Sequence, residues 1–278
     1  MRQSDVIETR LGKLRHAEQT FQLRNWIYSV RRKLDAGWNE ETYHLALYKT
    51  IEEHNVPVEF KPKRVLFHRG QPVHTFEADL IVWNLITVEC KVLPFDMKFA
   101  GEHYAQLIHY LKFYGKDLGL LVNFAHSPVL IERVLWDPPE PEITENYEHF
   151  QEKLAQSDRE NLLLIRQAVH SVIRQYGLGY PETVYRRIIA IETQHIGLAC
   201  ISDVEVQAIW QGQPLSEQTT PLMLIAGRYL LHVRAMLDAP TEYDFRRTKT
   251  YLKRLGLQLG LVVNFGRQQA QIFGIKSQ

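Results

Sequence analysis

Two cysteines, Cys90 and Cys200, occur in 278 residues. That is too few, at too wide a spacing, for a disulfide framework or a paired-cysteine metal site, and a reducing, cytoplasmic location is expected. No apolar run approaches the ~20 residues that cross a bilayer, which argues against a helical membrane protein. The opening MRQSDVIETRLGKLR is charged throughout and has no apolar core, so no secretory signal is expected. No P-loop, GxGxxG or GxSxG string occurs, which sets aside nucleotide-binding and serine-hydrolase chemistry. Neither His68 with His74 nor His103 with His109 has the spacing of a zinc motif. With 15 glycines, 12 prolines and 45% hydrophobic residues, the chain is neither fibrous nor disordered.

Charge of one sign is also missing. Thirty-three Lys+Arg oppose 32 Asp+Glu, for a net charge of +1. The balance is uneven along the chain: residues 1–36 carry +4, 37–136 carry −2, 137–170 carry −5 and 171–278 carry +4. Basic stretches flank an acidic middle, a footprint that suits a polyanion partner without specifying one.

What the sequence does contain is a repeat, with an offset near 142 residues. Gly37-Trp-Asn-Glu40-Glu-Thr-Tyr43 returns as Gly179-Tyr-Pro-Glu182-Thr-Val-Tyr185, and Gly70-Gln-Pro72 returns as Gly212-Gln-Pro214. Leu118-Gly-Leu-Leu-Val-Asn-Phe124 returns as Leu259-Gly-Leu-Val-Val-Asn-Phe265. Two copies of one domain therefore stand in tandem, each led by an amphipathic helix, near 18–34 and 159–176. Between them Asp137-Pro-Pro-Glu-Pro-Glu142 forbids helix and reads as an extended acidic linker. The expected domains are 1–136 and 146–278, joined by 137–145.

Within the first copy, 39–54 reads as a helix with Leu45, Leu47, Tyr48 and Ile51 at helical spacing, closed by Asn55 and Pro57. Strands are expected over 58–68, 73–83 and 85–93, a helix over 99–114 ending at Gly115, a buried strand over 118–124 and an edge strand over 129–135. The fold class is α/β, a mixed sheet between helices. The five tryptophans, Trp26, Trp38, Trp83, Trp136 and Trp210, read as packing residues.

Charges interrupt two of these strands. Glu77 and Asp79 lie in one, Glu89 and Lys91 in the next, and the strand period of two puts Glu89 and Lys91 on one face, opposite Val88, Cys90 and Val92. A turn over Trp83-Asn84-Leu85 sets Asp79 against Glu89 and Glu77 against Lys91. Facing carboxylates repel unless a cation lies between them. A solvated face with a weak Glu77–Lys91 pair is the other reading. Glu102 and Gln106 on the following helix are candidates for the same face.

The ordered set Gly37-x-x-Glu40-x-x-Tyr43, Asp79, Glu89-Cys-Lys91 and Gln106-x-x-x-Tyr110 resembles the GxxExxY family of the PD-(D/E)XK nuclease superfamily. The resemblance covers residues 20–136 and implies two tandem restriction-endonuclease-like domains, the first a Mg²⁺-dependent nuclease (Mn²⁺ as substitute) that cuts DNA in preference to RNA. It implies that Asp79, Glu89 and the Cys90 carbonyl hold the metal, since Mg²⁺ takes hard oxygen ligands. Lys91 would position the attacking water, Glu40 would approach from the first helix, and Gln106 would orient water or Lys91. Gly37 and Tyr43 read as helix start and core packing. In the second copy Pro221 aligns with Asp79, His232 with Glu89, Arg234 with Lys91 and Arg247 with Gln106. No acidic pair survives there, so that copy is expected to be silent. Its His232, Arg234, Arg246 and Arg247 are candidates for holding phosphate. A homodimer or a partner protein is compatible with this organisation. The alternative is a non-enzymatic nucleic-acid- or protein-binding module built from two nuclease-like domains.

Overall fold

Leu23, Trp26, Ile27 and Val30 follow the i, i+3, i+4, i+7 spacing that gives a helix one buried face. In the computed structural model, which describes residues 14–94, 97–150, 154–236 and 239–277, they line helix α1, Ala17–Leu34. The charged opening segment lies, up to residue 13, outside the described residues. Helix α2, Glu40–Glu53, starts at Asn39, whose side-chain oxygen accepts the Thr42 amide hydrogen at 3.0 Å. Its buried face is Tyr43, His44, Leu47 and Ile51, while Leu45, expected inside, is exposed.

Five strands follow: β1 (Val58–Phe60), β2 (Lys63–His68), β3 (Gln71–Glu77), β4 (Leu80–Val82) and β5 (Ile86–Lys91). The continuous strands expected over 58–68 and 73–83 are thus each split in two. Lys61 takes a left-handed φ of 46° beside Pro62, which has no amide hydrogen for a ladder. The other split falls at Ala78-Asp79: the Asp79 carbonyl still accepts from the Lys61 amide at 2.8 Å, a last bond in register with the β1–β4 pairing, and the preceding chain leaves that sheet. As a result β2 and β3 pair only with each other, as a separate ribbon.

Helix α3 (Gly101–Tyr114) leads to β6 (Leu118–Asn123) and β7 (Leu130–Leu135). The first sheet runs β1-β4-β5-β6-β7, with β7 at its edge as expected. β5 and β6 are parallel, and every other neighbouring pair is antiparallel. Leu80 faces Val88, Ile81 faces Thr87 and Val82 faces Ile86, the register that a turn over 83–85 dictates.

The sheet is covered on both faces. Val88, Cys90, Leu120 and Val122 pack with Leu23, Ile27, Tyr43 and Leu47 of α1 and α2. Leu121 packs with Leu107 and Leu111 of α3. Burying each such Leu or Ile contributes roughly 1.5–3 kcal/mol. A Cβ on Gly119 would lie 2.7 Å from the Leu107 methyls, so glycine there lets α3 seat on β6.

The second half repeats the plan. Strand β8 (Glu142–Asn146) precedes α4 (Gln156–Tyr176) and α5 (Glu182–His195). Then come β9 (Cys200–Ser202), β10 (Glu205–Trp210), β11 (Gln213–Thr219), β12 (Met223–Ile225), β13 (Tyr229–Arg234), α6 (Glu242–Arg254), β14 (Leu259–Phe265) and β15 (Gln269–Lys276). The sheet order is β8-β15-β14-β13-β12-β9, with β10–β11 as a separate ribbon. The stretch read as linker is therefore strand from Glu142 onward, because it pairs in parallel with β15. Both halves are α/β, mixed sheets flanked by helices. Contacts group the described residues up to Leu66 with Thr75–Asp137, and Phe67–His74 with Pro138–Gln278.

The repeated tyrosines have matching structural roles. Tyr43 stacks on Phe124 at 4.6 Å and its hydroxyl donates to the Asp35 carbonyl. Tyr185 stacks on Phe265 at 3.7 Å and donates to the Gly177 carbonyl. Trp26 and Trp136 are buried as packing residues, but Trp38 and Trp210 are exposed. Trp38 follows the end of α1, where its indole donates to the Leu34 carbonyl, and Trp210 ends the β10 ribbon strand. No helix among the described residues is long and apolar enough to cross a membrane.

Candidate active site

β5 delivers Glu89, Cys90 and Lys91 at the end of a strand whose other members are fully buried. Asp79 arrives from the break between β3 and β4, where its carboxylate is free to turn toward β5. Asp79 Oδ2 accepts the backbone amide of Cys90 at 2.7 Å. That single bond holds Asp79 beside the strand that carries Glu89 and Lys91. Glu40, at the first position of α2, lies with Oε1 4.0 Å from Lys91 Nζ. Thus Glu40, Asp79, Glu89 and Lys91, expected from the sequence to act together, stand in one cluster.

Glu89 is 1% exposed. One of its oxygens accepts from Lys91 Nζ at 2.7 Å, and the other, Oε2, is buried with no hydrogen-bond partner. Burial first, then the charge of Asp79, pushes the Glu89 carboxyl up to about 8, against the pull of Lys91. For Lys91, burial opposes the charge, but Glu89, Glu40 and Asp79 outweigh it and the ammonium is stabilised. Near neutral pH Glu89 is therefore held protonated, and its unsatisfied buried oxygen belongs to a carboxyl that a bound cation would ionise. Asp79 and Glu89 offer hard oxygen donors of the kind a Mg²⁺ ion takes, and the orphaned Oε2 fits that use.

Gln106 is placed otherwise than expected. Its side-chain amide donates to the Tyr110 hydroxyl at 3.0 Å, one turn on along α3, and no hydrogen bond to Lys91 is formed. Burial, with the charges of Glu89 and Asp79 adding to it, pushes the Tyr110 hydroxyl up to about 12. Gln106 thus orients Tyr110, whose hydroxyl stays neutral beside the carboxylates. The Glu77–Lys91 pair is not formed. β3 belongs to the ribbon, and Glu77 pairs with Lys63 at 3.3 Å instead. Glu102 is exposed.

His44 is the residue that sequence reasoning missed. It is 3% exposed, with Nε2 3.1 Å from Asp79 Oδ2 and 3.8 Å from Glu40 Oε1. Burial works against its protonated form, but Asp79, then Glu40 and Glu41, outweigh that and raise its pKa. Neither ring nitrogen has a hydrogen bond of acceptable geometry. The signal was its i, i+4 spacing from Glu40. Placing Leu45 on the buried face turns the helix away from this reading.

The matching place in the second half is chemically different. Met223 faces Leu231 and Ile225 faces Tyr229, so the position of Asp79 is held by Leu222, one residue beyond Pro221. An inserted residue between β11 and β12 explains why a fixed offset points to Pro221. Leu222 is wholly buried in the apolar core. Arg234 reaches Glu182 at 3.0 Å and Asp244 at 3.2 Å, so it is held inside an ion cluster and is not presented to a phosphate. His232 is wholly buried against Thr248, and burial, then Arg234, brings its pKa down to about 4. Arg247 donates to Tyr251, as Gln106 does to Tyr110. Arg246 is exposed and paired with Glu242.

No curated protein and no solved structure matches the chain. A family model does, twice, over residues 17–134 and 159–274, the two α/β halves that carry the cluster and its altered copy. On that double match the chain belongs to the PD-(D/E)XK nuclease superfamily.

Proposed function

We propose that the first half is a Mg²⁺-dependent phosphodiesterase of the GxxExxY type, acting on DNA in preference to RNA, and that the second half is catalytically silent. The division into domains 1–136 and 146–278 is part of this reading. The observation that carries it is Glu89, a buried carboxyl with one oxygen on Lys91 and one without a partner, beside Asp79. Such an arrangement costs free energy in an empty core, and a cation-binding role accounts for it.

Asp79, Glu89 and the Cys90 carbonyl would hold the ion. When bound, Mg²⁺ supplies charge to polarise a phosphodiester and acidify a water. Lys91 keeps its proton, holds Glu89 in place and offers a compact positive charge to a phosphate oxygen. Glu40 reaches the same ammonium from α2, which limits its motion. Gln106 fixes Tyr110 against the carboxylates.

In the second half Leu222 replaces an acid and Arg234 fills the remaining space with internal ion pairs, which supports silence. The test is cleavage of end-labelled DNA and RNA by the full chain with Mg²⁺, with Mn²⁺ and with EDTA. Cleavage of DNA that stops in EDTA and in Asp79→Ala, Glu89→Gln and Lys91→Met is expected. Unchanged cleavage by all three variants would overturn the assignment, and binding without cleavage in any metal would favour the non-enzymatic alternative.

A further inference from the structure

Glu89 and Cys90 are adjacent, so their side chains leave β5 on opposite faces. Cys90 packs on the side of α1 and α2, among Tyr43, Leu47, Val88 and Val122. His44 is buried on that same side of α2. Asp79, outside the strand at the break, is within reach of both. The donor atoms of His44, Asp79 and Cys90 all lie within 4.8 Å of one another.

We propose that His44, Asp79 and Cys90 form a second metal site, for a zinc-type transition ion, on the face of β5 opposite Glu89. The donor set is nitrogen, oxygen and sulfur, a mixture that suits Zn²⁺ or Co²⁺ and that Mg²⁺ avoids. Two donors of a tetrahedral zinc stand about 3.5 Å apart, so side-chain closure of roughly 1 Å assembles the site. His44 supplies the independent sign of a ligand. It is 3% exposed, yet neither ring nitrogen has a hydrogen-bond partner of acceptable geometry. The 3.1 Å ion pair with Asp79 offsets part of the cost of burying that imidazole, and coordination of a ring nitrogen offsets more. Cys90 is wholly buried and makes no disulfide. On binding, the thiol proton leaves to solvent and the thiolate becomes the ligand.

The site shares Asp79 with the Mg²⁺ site but does not depend on it, because Glu89 and Lys91 take no part. Asp79 is then the one side chain common to both ions, and its two oxygens allow it to bridge them.

The probe is Co²⁺, titrated into the metal-free full chain at neutral pH under reducing conditions. A thiolate ligand gives a sulfur-to-cobalt charge-transfer band in the near ultraviolet, and tetrahedral coordination gives visible bands. One equivalent of Co²⁺ should produce both, and Zn²⁺ should erase both. Cys90→Ser should lose the charge-transfer band and His44→Gln the tight titration. Cys200→Ser should keep the full spectrum. Only two cysteines exist, so that variant alone assigns the sulfur even where Cys90→Ser fails to fold. Glu89→Gln should bind Co²⁺ as the unmodified chain does while losing Mg²⁺-dependent cleavage, which separates the two sites. Absence of the thiolate band in the unmodified chain, or its loss in Cys200→Ser, overturns the proposal and leaves His44 as an ion-pair partner of Asp79 only.

Discussion

The amide of Cys90 donates to Asp79 Oδ2 at 2.7 Å, tying a carboxylate that lies outside any strand to the strand that carries Glu89 and Lys91. The bond crosses the turn between β4 and β5 and sets the spacing of the two acids without placing both in one ladder. It also makes Asp79 a structural residue as well as a candidate ligand.

Replacing the two acids should therefore shift stability in opposite directions. Asp79→Ala removes the acceptor of the Cys90 amide and the nearest carboxylate to His44, and should cost about 1–3 kcal/mol in metal-free protein. Glu89→Gln removes a buried charge and should raise the melting temperature above pH 8. Urea or thermal unfolding of both variants in EDTA checks this. Equal stabilities would show that the tie contributes nothing.

The pH dependence follows from Glu89. Its folded carboxyl titrates at about 8, above the ordinary value of 4.5. Between those limits the folded state holds a proton that the unfolded chain has released. The stability it contributes is complete below about 4.5 and is lost as pH rises through 8. Metal-free protein should melt at progressively lower temperature over that interval, and Glu89→Gln should flatten this component. Mg²⁺ needs the ionised carboxyl, so stabilisation by Mg²⁺ should grow over the same interval, with proton release measurable by calorimetry in two buffers.

Gly119→Ala places a methyl 2.7 Å from the Leu107 side chain. The helix or the side chain must shift, at a cost of about 1–3 kcal/mol. Shortening the opposing side chain, Leu107→Ala, leaves a cavity by itself, so the double variant should lose less than the two single losses combined. Additive losses in chemical denaturation would place the strain elsewhere.

Arg234→Met leaves Glu182 and the buried Asp244 short of a cation. Destabilisation of roughly 1–3 kcal/mol is expected, with the Mg²⁺-induced thermal shift unchanged. An altered Mg²⁺ response would mean that the second half takes part in metal binding.

Tyr43→Phe separates packing from chemistry at the repeated motif. It keeps the stack on Phe124 and removes the bond to the Asp35 carbonyl. A loss of about 0.5–1.5 kcal/mol is expected, with cleavage rate per folded molecule intact. A fall in that rate would assign the hydroxyl a role at the site.

The amino-acid sequence by itself determined the duplication, the helices, the buried central strands and the register of β4 on β5. These depend on periodicity, turn residues and the two-residue alternation of a strand, all of them local. It also placed Glu40, Asp79, Glu89 and Lys91 in one order that resembles a known family. Only the tertiary structure decided the rest. Asp79 stands at a strand break with its carboxylate claimed by a distant amide, that of Cys90. Glu77 pairs with Lys63 because the break sends β3 into a separate ribbon. His44 enters the site because α2 is rotated to bury Tyr43 on Phe124, leaving Leu45 in solvent. Residues 142–145, read as linker, become strand because β15 offers them an open edge. Leu222 takes the place of Asp79 because register follows hydrogen bonds across the sheet, which a count along the chain does not register.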